Sequence, residues 1–166
     1  MDQALKSSLQ VQPSPVGSDL QPTPDDRRYA VLIADDSEAD RFLLRHALRA
    51  HPRLTVVGEV EDGAETINYL SGTEPFQDRT RHPYPDVLIL DLQMPCKTGF
   101  EVLEWMGQQT KPPLATVVVS ASTLPEDEEK CLALGAYAYH TKPANRQGRD
   151  DMLRSIELML ESRGLH

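Results

Sequence analysis

The chain has 166 residues, of which 39% are hydrophobic, and this length suits one globular domain with its own core. Its 26 acidic residues outnumber its 17 basic residues and give a formal net charge of -9. This excess of negative charge argues against a protein whose main partner is nucleic acid or an anionic membrane surface. The composition favours an acidic switch or a soluble enzyme.

The cysteines and the apolar runs exclude several further classes. Cys96 and Cys131 are far apart in the sequence, with no CxxC motif and no histidine at zinc-ligand spacing, so neither a disulfide framework nor a zinc site is indicated. No apolar run approaches the roughly 20 residues that a membrane span needs, and the amino terminus lacks a hydrophobic signal core. We therefore expect a cytoplasmic protein with idle or buried thiols.

The first 28 residues differ in composition from the rest of the chain. They contain four prolines among Gln, Ser and Asp, and they show neither helical nor strand periodicity. Such a segment cannot bury enough apolar surface to order itself. We predict a disordered tail over residues 1–28, for which a solvated leader is favoured over a docking segment, and a folded domain over residues 29–166.

From Tyr29 onward, five short strand-like runs each precede a longer amphipathic stretch. The strand-like runs are YAVLIA, LTVVGEV, DVLILDL, ATVVVSAS and AYAYH. The helix-like stretches are RFLLRHAL, AETINYL, GFEVLEWM, EDEEKCLALG and DDMLRSIELMLE. Residues 87–90 and 117–119 are apolar without alternation, as is typical of strands covered on both faces by crossover helices. The pattern predicts a parallel three-layer α/β domain.

Polar side chains follow the apolar runs where the strands are expected to end. They are Asp35, Asp36, Asp91, Ser120 and Lys142. The carboxyl ends of neighbouring parallel strands form the reactive edge of an open sheet, so these side chains are expected to converge. Each alone has a simpler explanation as a helix-start acid, a strand-end hydroxyl or a surface lysine. Their joint placement favours a functional crevice.

The chemistry of this set points to phosphate. Clustered carboxylates repel one another, and a divalent cation relieves that repulsion. Oxygen-only ligation with carboxylates, water and a phosphate is how Mg²⁺ is usually held. Lys142 would add a positive charge and Ser120 a hydroxyl donor for phosphate oxygens. Together these groups indicate an aspartyl-phosphate centre.

Four segments resemble the signature segments of response-regulator receiver domains. They are LIADDSEADRFLL, LILDLQMPCKTGFEVL, VVVSAS and LGAYAYHTKP. The resemblance covers Tyr29 to about Ser162, which is nearly all of the predicted domain. It implies a flavodoxin-like α/β fold, that is, a doubly wound, five-stranded parallel sheet of order 2-1-3-4-5.

The resemblance also implies roles at the acidic end of the site. Asp91 matches the phosphoacceptor of the family. Asp35 and Asp36 match the acidic pair that coordinates Mg²⁺ directly or through water. Gln93 matches the position that supplies a backbone carbonyl to the metal, so its side-chain identity matters less.

Further roles are implied at the last two strands. Ser120 matches the switch hydroxyl, Lys142 the phosphate-binding lysine, and Tyr139 the aromatic side chain that rotates when the site is phosphorylated. Pro143 follows Lys142, and the family usually has a cis peptide bond there, which costs only about 0.5–1 kcal/mol over trans before proline.

By resemblance, the protein is expected to be a single-domain response regulator. Its donor would be a sensor histidine kinase or a phosphotransfer protein, and its output would be association with a target protein rather than turnover of a separate substrate. The lack of an output domain and the long segment Ser71–Pro85 resemble regulators that partner phytochrome-type kinases. Self-association through the face of the fourth and fifth helices is a further expectation.

Two features depart from the commonest family pattern. Ala144 stands where a bulky apolar residue often follows Lys-Pro, and the segment NRQGRD is expected to delay the last helix. Ser71–Pro85 is rich in proline and turn formers and predicts an unusually long exposed loop before the third strand.

Two alternatives remain open at this point. A haloacid dehalogenase type of phosphatase also uses an aspartyl nucleophile with Mg²⁺, but it generally needs a second Asp two residues later as general acid, where this chain has Gln93. A degenerate receiver would bind partners without phosphorylation. Its signature would be loss of the acidic pair, the acceptor or the lysine, and all of these are present.

Overall fold

The computed structural model of the chain describes residues 27–111 and 114–163. The predicted tail lies outside the described residues, apart from Arg27 and Arg28. The strands are β1 (Tyr29–Ala34), β2 (Leu54–Val60), β3 (Val87–Leu90), β4 (Ala115–Ser120) and β5 (Ala138–Thr141). The helices are α1 (Glu38–Arg49), α2 (Gly63–Ser71), α3 (Gly99–Gly107), α4 (Pro125–Ala133) and α5 (Arg146–Ser162).

The strands form one sheet in the order β2-β1-β3-β4-β5, and every neighbouring pair is parallel. This order confirms the doubly wound, flavodoxin-like fold. β1 and β3 end at the same level because Ala34 pairs with Leu90, and β4, in which Val118 lies opposite Leu90, continues to Ser120. The residues that follow these strands therefore meet at one edge.

The helices cover both faces of the sheet. On one face α1 and α5 bury an apolar cluster that includes Leu48, Met152 and Ile156, each fully buried. On the other face α2, α3 and α4 contribute Tyr69, Val102 and other apolar side chains to a second cluster. β3 and β4 are buried along their whole length, which explains the consecutive apolar residues 87–90 and 117–119. Each fully buried large apolar side chain contributes about 1.5–3 kcal/mol.

The expected delay of the last helix is wrong. Helix α5 begins at Arg146, because the side chain of Asn145 caps it by accepting a hydrogen bond from Gly148 N at 2.9 Å. A Cβ at position 148 would lie 3.1 Å from Pro143 Cβ, so a glycine suits this close approach. Polar residues that suggested a loop thus form the first turns of the helix.

The expected cis bond before Pro143 is also wrong. Within the described residues, the cis peptide bond lies at Glu74–Pro75, in the long segment between α2 and β3. Lys142 is instead fixed by its backbone N–H, which donates to Ser120 O at 2.7 Å and continues the pairing of β5 with β4.

The long segment between α2 and β3 is anchored rather than loosely exposed. Arg79 donates hydrogen bonds to the carbonyl oxygens of Tyr69 (2.7 Å) and Leu70 (3.0 Å), which lie in the last turn of α2. The ring of Tyr69 packs against Phe76 and His82, with centroids 5.0 and 5.8 Å away. We refer to Arg79 and the carbonyl groups it binds as the Arg79 cap.

No helix among residues 27–111 and 114–163 is long and apolar enough to cross a membrane.

Candidate phosphoryl-acceptor site

Two buried aspartates lie side by side at the carboxyl edge of the sheet. Asp35 follows β1 and Asp91 follows β3, and Asp91 N donates to Ala34 O at 2.9 Å, which extends the pairing of these strands by one residue. Their exposed fractions are 2% and 3%. Asp36 is exposed beside them, and one carboxylate oxygen from each of the three residues lies within 4.8 Å of the others. The predicted acidic cluster is therefore present.

Burial and mutual repulsion make this cluster electrostatically unfavourable. Burial raises the pKa of Asp91 above its ordinary value, and the neighbouring charge of Asp35 raises it further, whereas Lys142 and the N–H of Gln93 act in the opposite direction. Burial likewise raises the pKa of Asp35, although hydrogen bonds from Ser37 N and Lys142 oppose the shift. The cluster is thus poised to gain from an added positive charge.

Lys142 supplies one such charge from the end of β5. Its Nζ lies 2.7 Å from Asp40 Oδ2, 3.0 Å from Asp35 Oδ2 and 3.3 Å from Asp91 Oδ2. Burial opposes the charged form of Lys142, but hydrogen bonds to Asp40 and Asp35 outweigh this and raise its pKa above the ordinary value for lysine. The ammonium is charged and is held against the predicted phosphoacceptor.

Asp40 is a residue of this site that the sequence reasoning missed. It lies in the first turn of α1, where an acidic residue is ordinarily explained by the helix dipole. The available signal was its place in the family-like segment LIADDSEADRFLL, four residues after Asp36. That signal alone does not indicate a contact with Lys142, which lies 102 positions away.

Ser120 and Tyr139 meet through the loop after β4. Ser120 is fully buried at the end of β4, and its Oγ accepts a hydrogen bond from Ser122 N at 3.2 Å. The hydroxyl of Tyr139 donates to Ser122 O at 2.8 Å, and its ring packs against the cluster under α3 and α4. Both side chains therefore contact the same loop residue, next to the carboxyl edge.

The loop between β3 and α3 shapes the remaining side of the site. Gln93 is exposed, and its N–H points to Asp91 Oδ1 at 3.4 Å. Met94 is buried, while Cys96 is exposed and has a positive φ of 64°. A Cβ at Gly99 would lie 2.3 Å from the carbonyl oxygen of Asp91, so only glycine allows α3 to start this close to Asp91.

The residues present fit a magnesium ion. The donor set consists only of carboxylate oxygens, which suits a hard cation, and the three carboxylates are close enough to share one. The unfavourable burial of Asp35 and Asp91 is what a bound divalent cation would offset. Histidine and cysteine, which favour zinc, are absent from this cluster among the described residues.

Residues 31–156 match the family of response regulator receiver domains. The chain belongs to this family. The match includes most of β1, the other four strands and most of α5, and it agrees with the parallel 2-1-3-4-5 sheet described above. The chain is thus a receiver domain of the kind found in two-component response regulators.

Individual relatives and solved structures agree with the assignment of the chain to the receiver-domain family. The protein-glutamate methylesterase/protein-glutamine glutaminase of Halalkalibacterium halodurans is 32% identical over 119 residues, which cover 70% of this chain and 31% of that protein. The chain thus spans about a third of the length of this curated relative. The response regulator RPA3017 in red light signaling of R. palustris is 31% identical, with a TM-score of 0.69 over 77% of this chain and 90% of that one.

A phosphorylated relative is also similar in structure. The phosphorylated cyanobacterial phytochrome response regulator RcpA is 29% identical, with a TM-score of 0.68 over 78% of this chain and 91% of that one. RPA3017 is described as a response regulator in red light signaling and RcpA as a phytochrome response regulator, so the predicted resemblance to regulators that partner phytochrome-type kinases is confirmed as a similarity.

Proposed function

We propose that this receiver domain acts as a single-domain response regulator, which accepts a phosphoryl group onto Asp91 with Mg²⁺ and thereby changes its protein-binding surface. The observation that carries this proposal is the convergence on Asp91 of a charged lysine, at 3.3 Å, and of two further carboxylates within 4.8 Å. No simpler structural role explains why two carboxylates are buried side by side at 2% and 3% exposure.

In the transfer step, a carboxylate oxygen of Asp91 forms a bond to phosphorus as the bond from phosphorus to the donor's histidine nitrogen breaks. The electron pair of that bond stays on the imidazole. Lys142 lies beside the acceptor oxygen, where it can neutralise charge on the phosphoryl oxygens. Asp35, Asp36 and Asp91, with the backbone carbonyl of Gln93, would hold the Mg²⁺, which supplies further neutralisation of phosphoryl charge when bound.

The switch would run through Ser120 and Tyr139. A phosphoryl group on Asp91 offers acceptor oxygens to the Ser120 hydroxyl, whose present contact is only a 3.2 Å bond from Ser122 N. Movement of Ser120 would shift the β4–α4 loop and with it the carbonyl that holds the Tyr139 hydroxyl. The local change at Asp91 would thus reach the surface formed by α4 and β5.

The expected donor is a sensor histidine kinase or a phosphotransfer protein in the cytoplasm, and the light-signalling relatives favour a phytochrome-type kinase. Self-association would use the face of α4 and α5, which exposes Leu132 and Leu158 to 44% and 55%. Catalysis would be limited to the domain's own phosphorylation and dephosphorylation.

Transfer from a kinase tests this function. A purified phytochrome-type histidine kinase is labelled on its histidine with radioactive ATP, freed of nucleotide and mixed with this protein and Mg²⁺. The proposal expects label to leave the kinase and appear on the wild-type chain but not on Asp91→Asn. Label that transfers equally to the variant would overturn Asp91 as the acceptor, and steady release of phosphate from p-nitrophenyl phosphate would favour the phosphatase alternative.

A further inference from the structure

Asp40 differs from the two glutamates that occupy the same position, the third residue of the helix, in α2 and α3. Asp40, Glu65 and Glu101 are each the third residue of a helix, in α1, α2 and α3. At this position an acidic side chain commonly folds back to accept a hydrogen bond from the backbone just before the helix. Glu101 does so, accepting from Thr98 N at 2.7 Å, and Glu65 accepts from Glu61 N at 2.9 Å.

Asp40 does not make this contact. The backbone N–H of its capping residue, Ser37, donates instead to Asp35 Oδ1 at 2.8 Å. The Asp40 carboxylate is therefore free to turn into the site, where its Oδ2 lies 2.7 Å from Lys142 Nζ. This contact is shorter than those of Lys142 with Asp35 and Asp91, at 3.0 and 3.3 Å.

Lys142 has as many carboxylate neighbours as its ammonium group has N–H donors. An ammonium group has three N–H donors, and three carboxylates surround this one. Asp35 and Asp91 are both members of the predicted metal cluster, whereas Asp40 is not. When the cluster holds a cation and Asp91 carries a phosphoryl group, the partners of Lys142 within the cluster change. Asp40 is the partner of Lys142 that neither binds the metal ion nor carries the phosphoryl group.

We propose that Asp40 is a positioning residue, which anchors the ammonium of Lys142 so that it stays aimed at the phosphoryl acceptor. Asp40 touches neither the acceptor nor the transferred group, and it acts through Lys142. The ammonium of lysine is carried on a flexible four-carbon chain, so without an anchor it occupies many positions. Even a small displacement of a charged group from the reacting atoms slows the reaction considerably. This inference rests on the proposed phosphorylation of Asp91 and deepens it.

A double-mutant cycle tests the anchor. The rate of Mg²⁺-dependent phosphorylation by acetyl phosphate is measured by intact mass for the wild type, Asp40→Asn, Lys142→Met and the double variant. We expect Asp40→Asn to lower the rate about tenfold. The same change made in the Lys142→Met background should have no further effect, because the residue through which Asp40 acts is gone. Equal effects in both backgrounds would overturn the proposal.

A matched control separates the anchor from general charge effects. Glu38 lies in the same first turn of α1 and is exposed, so Glu38→Gln removes the same charge near the same helix end without touching Lys142. Its phosphorylation rate should stay within about twofold of the wild type. Asp40→Glu should recover part of the lost rate because it restores the carboxylate.

A second readout does not depend on phosphorylation. The midpoints of urea unfolding of the same four proteins should be non-additive, since loss of either partner alone breaks the ion pair and loss of both adds little. Additive midpoints would show that Asp40 and Lys142 are not coupled and would overturn the anchor, whether or not the wild type accepts a phosphoryl group. If the midpoints are non-additive and the wild type gains no phosphoryl group, the proposed function fails while the contact stands.

Discussion

Two cations organise opposite edges of this sheet, and they do so with different kinds of partner. At the carboxyl edge, Lys142 is surrounded by the carboxylates of Asp35, Asp40 and Asp91. At the amino edge, the Arg79 cap joins a guanidinium to carbonyl oxygens at the end of α2. Carboxylates can be protonated or accept a phosphoryl group, whereas peptide carbonyls do neither near neutral pH. We therefore expect the first arrangement to respond to phosphorylation and the second only to stabilise the fold.

The largest expected difference between the two cations is in phosphorylation rate. Lys142→Met should slow Mg²⁺-dependent phosphorylation of the protein by acetyl phosphate about a hundredfold, because the variant loses charge stabilisation at the reacting group. Arg79→Met, a matched change at the other edge, should leave the rate within about twofold. Time courses of intact mass measure both. Equal slowing of the two variants would contradict the distinction between Lys142 and Arg79, because it would mean that loss of either cation disables the site.

The free energy of unfolding should depend on pH differently in Arg79→Met and in Lys142→Met. Arg79→Met should lower the free energy of unfolding by about 2 kcal/mol at neutral pH, since it removes charge-assisted bonds to the carbonyls of Tyr69, Leu70 and His82. That deficit should not change with pH. Urea unfolding at several pH values, without Mg²⁺, provides the measurement.

The deficit of Lys142→Met should instead shrink as the pH falls. Burial raises the pKa of Asp35 and Asp91 in the folded protein. Their ionised forms therefore destabilise the fold above those pKa values, and this cost disappears as the pH falls through them toward the ordinary value of 3.8. Without Lys142 the cost at neutral pH is greater. A deficit that stays constant from neutral to acid pH would contradict the ionic account of this edge.

A smaller contrast concerns the glycines at the two ends of α3. At Gly99, beside the proposed acceptor, an added Cβ would lie 2.3 Å from the Asp91 carbonyl oxygen, whereas at Gly107 nothing lies within 4 Å. Gly99→Ala should lower the free energy of unfolding by about 2 kcal/mol. Gly107→Ala should raise it by about 0.5–1 kcal/mol through helix propensity. Thermal unfolding of both variants checks the pair, and equal effects would mean that the site does not require this close approach.

Sequence reasoning succeeded where local pattern and strand order determine structure. The consecutive apolar residues 87–90 and 117–119 belong to buried central strands, and the aspartates that follow β1 and β3 meet at the carboxyl edge. The start of α5 was misplaced because the polar residues after Asn145 resemble a loop until the capping bond to Gly148 is known. The trans bond before Pro143 likewise departs from what the resemblance implied.

Asp40 could not be assigned because its role depends on a contact between distant parts of the chain. An acid in the first turn of a helix has an adequate local explanation, and nothing near it in sequence shows that its carboxylate turns away from the helix backbone. The Arg79 cap was missed for a similar reason. An arginine in a segment rich in proline and turn formers gives no sign that it closes the end of a preceding helix.

The most direct test of the account is the intact mass of the protein after incubation with Mg²⁺ and acetyl phosphate, with Asp91→Asn treated in parallel. The account predicts one added phosphoryl group on the wild type, dependent on Mg²⁺, removed by hydroxylamine and absent from the variant. An adduct of equal yield on Asp91→Asn, or no adduct on a folded wild-type protein with or without Mg²⁺, would contradict it.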